Sequence, residues 1–553
     1  MESRVNKSLR NTLVGISGLL INLLVLFFTK SIFIRLLGAE YNGVNGLFGN
    51  ILDLLNLAEL GFASAIAFFL YRPLTEGDEE TAAKLMNFFS KVYRVIALIV
   101  AVAGSICIPF LQYLIAEDIS TLSFSLNQLR IYFVIYLFNT VCSYLLAYNR
   151  TIVTADQNSY VISFVDNTCN IVLNIVQIIL LLIYKNYYAF LTAMVLKTII
   201  GNLIIHLYAQ KKYPYIRKYK GLKLSKEEKS EVMQNVKGSF LHKIGVVIVF
   251  STTSIIISAF VSLVDAGKYA NYYMITSQVY VFINLVFNAV TASIGNLCVS
   301  VDKDYQFVIF KRMRYLGSFF TVFAFTCYIC LFNDFVEIWL GSEMLLPLPV
   351  VIIISVNAVL MYMRRASIAF RDAQGFYKID WYKPIIESVA AIGFAIGLSY
   401  VWGTFGVILG YVLSGLLISI PIENRTLFKY GFTDKKLIKQ FLNMALTMLF
   451  AFALGAAAYA ICYFFPKGIG FFILKFIFCI VFSTGIFVLF TFRSEEFTYY
   501  KNLFGSLCKK VLSKLKRKTS EEKPVNENMV CESVEDENKT SAEENDVREK
   551  SGE

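Results

Sequence analysis

The sequence predicts an all-α integral membrane protein of about fourteen transmembrane helices, on three observations. Of its 553 residues, 57% are hydrophobic and only 17% charged. Mean hydropathy is +0.59, outside the range of ordinary soluble domains. Apolar stretches of roughly twenty residues, each enough for one span at about 1.5 Å per residue, recur from Leu13 to Phe490. The intervening segments alternate in charge: 72–94, 211–237, 303–314, 364–383 and 425–439 are rich in Lys and Arg, whereas 112–128 and 333–347 contain neither. Positive charge collects on the cytoplasmic side, so both termini are expected in the cytoplasm and the number of spans should be even.

The predicted helices lie near 11–36, 43–71, 88–113, 127–149, 158–184, 187–208, 238–263, 267–299, 309–340, 345–370, 382–401, 404–422, 438–464 and 468–491. The first apolar run begins after about ten residues and is followed by Lys30 and Arg35 without a small-residue cleavage site, so it reads as a retained helix and not a signal peptide. Leu37 to Ile66 and Leu263 to Ile294 resemble each other in pattern, each beginning at an outer hairpin and ending in a small-residue cluster. Two parallel copies imply two six-helix lobes related by an axis along the membrane normal. The expected organisation is a lobe over 1–210, a basic cytoplasmic linker over 211–237, a second lobe over 238–423, two further helices over 424–492, a basic juxtamembrane segment over 493–518 and an acidic tail over 519–553. Lys501 to Lys518 holds seven basic residues, whereas Thr519 to Glu553 holds twelve acidic and four basic ones; the net +12 divides into −8 for the tail and +20 for the rest. The tail composition reads as disordered, and the basic excess follows from membrane topology without invoking nucleic acid.

Polar residues inside apolar helices mark the candidate site. Asn42, Asn45, Gly46, Gly49, Asn50, Asp53 and Asn56 fall on one face of the second helix. A carboxylate near the bilayer centre costs about 2.5–3.5 kcal/mol, so Asp53 should turn inward toward a partner. Ser163, Asp166, Asn167, Asn170, Asn174 and Gln177 form a narrower stripe along the fifth helix. A hydrated lumen is its simplest explanation, and an interhelical hydrogen-bond ladder is the alternative. The basic candidates are Lys30, Arg35, His242, Lys243, Arg364 and Arg365; as a set without matching acids they would suit a phosphate-bearing substrate, and singly each also reads as a snorkelling residue near an interface. Asp53 or Glu59 is a candidate partner for Lys30, and Glu387 for Arg371. Asp53, Glu59 and Asp166 are therefore candidates both for ion pairs and for binding a coupling Na+ or H+.

Ten cysteines are scattered without CxxC or Cys/His spacing and read as small packing residues. There is no GxxxxGK[ST], GxSxG or HExxH motif and there are only two histidines, His206 and His242, so no enzymatic centre, cofactor or metal is expected.

The opening hairpin LLGAEYNGVNGLFGNILDLLNLAELGFASAIAFFLYRPL and the segment FRDAQGFYKIDWYKPIIESV, preceded by MRR, resemble the Wzx-like polysaccharide flippases of the multidrug/oligosaccharidyl-lipid/polysaccharide exporter superfamily. The resemblance spans nearly the whole chain up to the last helix. It implies two six-helix lobes around a central cavity, two added helices, and alternating access that moves an undecaprenyl-pyrophosphate-linked oligosaccharide across a bacterial plasma membrane. By position, Lys30 and Arg35 resemble the family's first-helix cations and Arg364 and Arg365 its helix-ten pair. Substrate contacts are accordingly expected from Lys30, Arg35, Arg364 and Arg365, with Asn50, Asn170 and Asn174 lining the lumen. Lipid-linked oligosaccharide, membrane lipids, a glycan polymerase and glycosyltransferases are the expected partners. A cation-coupled multidrug exporter of the same superfamily and a membrane glycan polymerase or ligase are the rival readings.

Overall fold

The computed structural model describes residues 4–59, 62–300, 302–376, 379–432 and 437–506. The chain divides into two compact units, Met1–Phe487 and Val488–Glu553. The described part of the second holds the end of the last long helix and a helix over 495–506. Lys509 to Lys518 and the acidic tail lie outside the described residues.

The first unit is built of helices joined by turns and short irregular connections, with no strand among its described residues. Its opening helix, α1 (Arg4–Leu55), would extend about 78 Å if straight, more than twice the apolar thickness of a bilayer. It is broken at Gly38, where φ is 88° and ψ is −176°, a conformation that glycine reaches without a Cβ clash. The chain reverses there, because the Lys30 ammonium donates to the Asn42 side-chain carbonyl, although twelve residues of continuous helix would hold them about 18 Å apart. α2 (Phe62–Glu76) and α3 (Glu79–Cys107) follow, the latter capped by Asp78, whose side chain accepts from the Thr81 N–H at 2.9 Å. Val95, Leu98, Ile99, Val102 and Ile106 stand exposed along α3, as a lipid-facing surface requires.

α4 (Leu126–Leu145) opens on a Ser125/Gln128 capping box and bends by 43° into α5 (Tyr148–Ala155). α6 (Ser159–Tyr184) and α7 (Tyr187–Lys212) complete a first set of helices that pack mainly on one another. The basic segment after α7 includes α8 (Tyr215–Lys218) and is strapped to α3 by the Asn87 amide, which donates to the backbone carbonyls of Tyr219 at 2.9 Å and Leu222 at 3.3 Å.

The second set comprises α9 (Lys226–Phe260), α10 (Leu263–Ser300), α11 (Lys303–Leu340), α12 (Leu348–Ala373), α13 (Lys383–Ser414) and α14 (Ile420–Thr426). α13 is broken at Gly403, where φ is 54° and ψ is −135°. Its arms fold back on each other: Ser414 Oγ donates to the Glu387 carbonyl at 2.8 Å, a pair that continuous helix would separate by about 40 Å. Gly410 permits the approach, since a Cβ there would lie 2.4 Å from the Ala395 nitrogen. π-helical turns, Gly415–Ser419 and Leu427–Gly431, flank α14. α15 (Leu437–Cys462) packs on α11, and α16 (Ile469–Thr491) follows it.

Among the described residues nine helical stretches are long and apolar enough to cross a membrane, or ten with α4 and α5 as one span. The number fourteen is not reached by that measure. Two of the nine, which include α1 and α13, contain the chain reversals at Gly38 and Gly403.

The two sets meet where the lysine-poor connections lie. Ala116 N–H donates to the Ser258 carbonyl at 2.8 Å, Ser258 Oγ to the Leu114 carbonyl at 2.7 Å, and the Leu263 N–H to the Glu117 carboxylate at 2.8 Å. Trp339 Nε1 donates to the Phe27 carbonyl at 3.1 Å. The beginnings of the two similar segments also touch: the Asn42 amide donates to the Gly267 carbonyl at 2.6 Å and to Asn271 at 3.0 Å. Gly267 has no room for a side chain, because a Cβ would sit 2.4 Å from the Ala39 carbonyl oxygen.

Candidate functional site: a buried ion cluster beside a tyrosine-lined cavity

The segment FRDAQGFYKIDWYKPIIE contributes five charges to one place. Arg371 and Asp372 end α12, Asp380 and Lys383 bracket the start of α13, and Glu387 lies one turn further on. Arg364 joins them from two turns earlier in α12, and Glu423 from α14. Glu423 is the hub: it accepts from Arg364 at 2.8 and 3.1 Å and from Lys383 at 2.7 Å, with Arg371 at 3.8 Å. Lys383 also pairs with Glu387 at 2.7 Å, Arg364 with Glu387 at 3.5 Å, and Arg371 with Asp380 at 3.2 Å. Arg364, Arg371, Lys383, Asp380 and Glu423 are all buried. Desolvating such charges costs several kcal/mol each unless neighbours neutralise them, and here three cations meet four carboxylates, the half-exposed Asp372 among them.

The cluster forms one wall of a cavity of about 260 Å³ enclosed by α9, α10, α12, α13 and α14. Tyr269, Tyr273, Tyr280, Tyr411 and Asn357 line the rest, and a smaller recess of about 60 Å³ continues it along Thr276 and Ser277. Arg365 also lines it. That guanidinium donates to Asn288 at 3.0 Å and, among the described residues, has no carboxylate partner and no acceptor for its buried Nε. Arg365 is thus the cavity cation still able to take an anion.

The expectation of cations without matching acids is therefore corrected for Arg364, whose charge is spent on Glu423 and Glu387. The suggested Glu387–Arg371 pair is also replaced: Glu387 holds Lys383 and Arg364, and Arg371 holds Asp372 and Asp380. Among the described residues Lys30 meets no carboxylate; its partners there are Asn42 and the ring of Phe33, 5.8 Å away. The Glu59 side chain lies outside the described residues, as do those of His242 and Lys243. Arg35 and Asp53 are exposed and carry no ion pair among the described residues, with Asp53 within electrostatic reach of Tyr273.

The amide stripes divide between packing and open surface. Asn42 is sealed between α1 and α10, Asn45 accepts from Tyr136, and Asn56 accepts from the Tyr144 hydroxyl at 2.6 Å. Asn50 donates to the Gly46 carbonyl of its own helix at 2.8 Å. On α6, Asn167 bonds Asn22 of α1 and Gln177 donates to the Phe190 carbonyl at 3.2 Å. Asp166 receives a bidentate contact from Arg150 at 2.7 and 2.9 Å, and Arg150 also donates to Asn202. Asn170 and Asn174 are half-buried and make no hydrogen bond among the described residues. Of the expected site residues, the structure brings Arg364 and Arg365 together at the cavity; Lys30, Arg35, Asn50, Asn170 and Asn174 do not line it.

A larger recess of about 510 Å³ lies in the first set, against α3, α7 and α8, with Lys91, Arg94, Arg217 and Lys220 on its rim. Those four are exposed, so water screens them; the buried charge and the enclosing tyrosines belong to the other cavity.

Glu423 was missed from sequence because it sits at the end of a predicted helix, where a carboxylate reads as interfacial. The π-helical turns around it, which carry no local sequence signal of their own, set its position.

No family model matches this sequence, and a search of curated proteins finds no match. Solved structures do match. An inward-facing multidrug resistance MATE family transporter of the MOP superfamily aligns with a TM-score of 0.60 over 75% of this chain and 97% of its own, at 14% identity. The lipid II flippase MurJ, in an inward closed conformation, aligns with a TM-score of 0.59 over 88% of this chain and 99% of its own, at 15% identity. At such identities the likeness speaks for architecture: this chain is a multi-pass membrane protein with the all-helical fold that the MATE transporter and MurJ share.

Proposed function

We propose that this chain is a flippase for a lipid-linked oligosaccharide carrying phosphate, in a bacterial plasma membrane, working by alternating access without covalent chemistry. The observation that carries the reading is Arg365, a cavity arginine with an unused buried Nε in a wall whose other cations are already neutralised. A pyrophosphate oxygen is the natural acceptor for it, at about 1.5–3 kcal/mol for a charge-assisted bond. Tyr269, Tyr273, Tyr280 and Asn357 offer ring faces and polar edges of the kind that hold sugars. The contacts between the two sets at the lysine-poor end would close the outer side, leaving the basic end for loading. Lys30, Arg35, Asn50, Asn170 and Asn174 would enter the path in other conformations.

The fold is shared with an exporter and a flippase, so substrate class needs its own test. In a strain lacking the gene, lipid-linked glycan should accumulate on the cytoplasmic leaflet while surface polysaccharide disappears. Normal surface glycan with raised drug sensitivity would move the chain to the exporter reading. One observation favours that second reading: Asp53, exposed and without a cation among the described residues, is where a coupling Na+ or H+ would bind.

A further inference from the structure

Four of the ten cysteines converge where α15 and α16 meet α11. Cys330 of α11, Cys462 at the end of α15 and Cys479 of α16 are all buried, and their sulfur atoms lie within 4.8 Å of one another. Cys327, one turn before Cys330, makes a further thiol contact to Cys479. Packing alone gives no reason for this: small residues at a helix crossing are usually met by larger ones, whereas here thiols from three helices face each other. Cys330, Cys462 and Cys479 form a buried cluster with Leu331 and Ala458, against which Cys327, Phe472, Phe478, Phe482 and Tyr459 pack.

The surroundings fix the register. Lys475, one turn from Cys479, donates to Asp334, one turn from Cys330, at 2.5 Å, and Lys467 donates to both oxygens of Glu337 at 2.9 Å. This ion-pair ladder holds α16 against α11 and brings a buried ammonium close to the sulfurs.

We propose that Cys330, Cys462 and Cys479, with Cys327 as a fourth donor, form a binding site for a thiophilic d10 ion, Zn(II) or Cu(I), that clamps α15 and α16 to α11. Metal–sulfur bonds of about 2.3 Å place sulfurs about 3.8 Å apart in a tetrahedral site, so a contraction of an ångström or less would close the site. Soft thiolates select this class over hard cations. On binding, each engaged thiol gives up its proton to solvent, and the nearby Lys475 offsets part of the net negative charge that the four thiolates leave around either ion.

The test is metal analysis of the full chain purified in detergent under reducing, chelator-free conditions, before and after loading with Zn(II) or with Cu(I). Close to one equivalent of one of these ions per chain is expected, with the two loadings distinguishing them. Cys479→Ser and Cys462→Ser should fall below a tenth of an equivalent, whereas Cys142→Ser on α4 should keep the full amount. Substitution of Co(II) into the wild type should give a thiolate-to-metal charge-transfer band, a readout that stands even if the variants fold poorly. Absence of metal after both loadings, metal retained by Cys479→Ser, or a disulfide among these cysteines found by mass spectrometry would overturn the proposal.

Discussion

Arg364 and Glu423 stand 59 residues apart in the chain yet share two hydrogen bonds, 2.8 and 3.1 Å long, with side chains 6% and 1% exposed. They tie α12 to the short helix between two π-helical turns, and Lys383 and Arg371 close around the same carboxylate. Removing one partner from such a cluster strands a buried charge, at about 3–5 kcal/mol. Glu423→Gln should therefore lower the melting temperature in detergent by several degrees. The double variant Arg364→Leu/Glu423→Leu should lose less than the two single leucine variants together, with a coupling of about 1–3 kcal/mol. Additive losses would mean that the pair does not couple.

Arg365 separates binding from folding in a way that Arg364 cannot. Arg365→Ala should melt close to wild type and lose roughly ten- to a hundredfold in affinity for a pyrophosphate-bearing lipid, as one charge-assisted bond of about 1.5–3 kcal/mol dictates. Arg365→Lys should recover part of it, since an ammonium keeps the charge but not the planar fork. Microscale thermophoresis with undecaprenyl pyrophosphate is a suitable readout. Arg364→Ala should instead reduce the yield of folded protein.

Gly267 and Gly43 control how closely α10 and α1 approach at the lysine-poor end. An alanine at Gly267 would place its Cβ 2.4 Å from the Ala39 carbonyl and 2.8 Å from the Gly43 nitrogen, backbone atoms that cannot rotate aside. Gly267→Ala should push the two sets apart. A cysteine at Tyr273, in a background stripped of the native thiols, should then react faster with a maleimide supplied from the lysine-poor side. Unchanged labelling would show that the contact does not control access.

Asp166 is engaged by Arg150, with 40% and 29% of the respective side chains exposed. Partly solvated pairs contribute little, about 1 kcal/mol or less. Asp166→Asn should therefore cost a degree or two of melting temperature and leave transport intact. Transport lost at unchanged stability would make Asp166 a coupling site and not a structural one.

Much of this architecture was legible in the sequence because hydropathy and loop charge are local signals. The expected boundary between 11–36 and 43–71 falls at the Gly38 reversal, and that between 382–401 and 404–422 falls at Gly403. The pairing of charges was not legible. Arg364 and Arg365 are adjacent and chemically identical, and only the fold gives one the carboxylates of Glu423 and Glu387 and the other, among the described residues, none. The polar stripe on the fifth predicted helix had two readings, and Asn167 and Gln177 went to neighbouring helices because those helices present amide and carbonyl partners at matching heights. Cys330, Cys462 and Cys479 show no spacing motif, since they come together only when three helices pack.

The central claim is that a phosphate-bearing lipid is carried through the cavity beside Arg365. The most direct test is transbilayer movement of undecaprenyl-pyrophosphate-linked oligosaccharide in proteoliposomes, comparing wild type with Arg365→Ala at matched reconstitution. The account predicts rapid movement with the wild type and a loss of at least tenfold with the variant. Equal rates for both, or no acceleration by the wild type over protein-free vesicles under an imposed ion gradient or membrane potential, would contradict it.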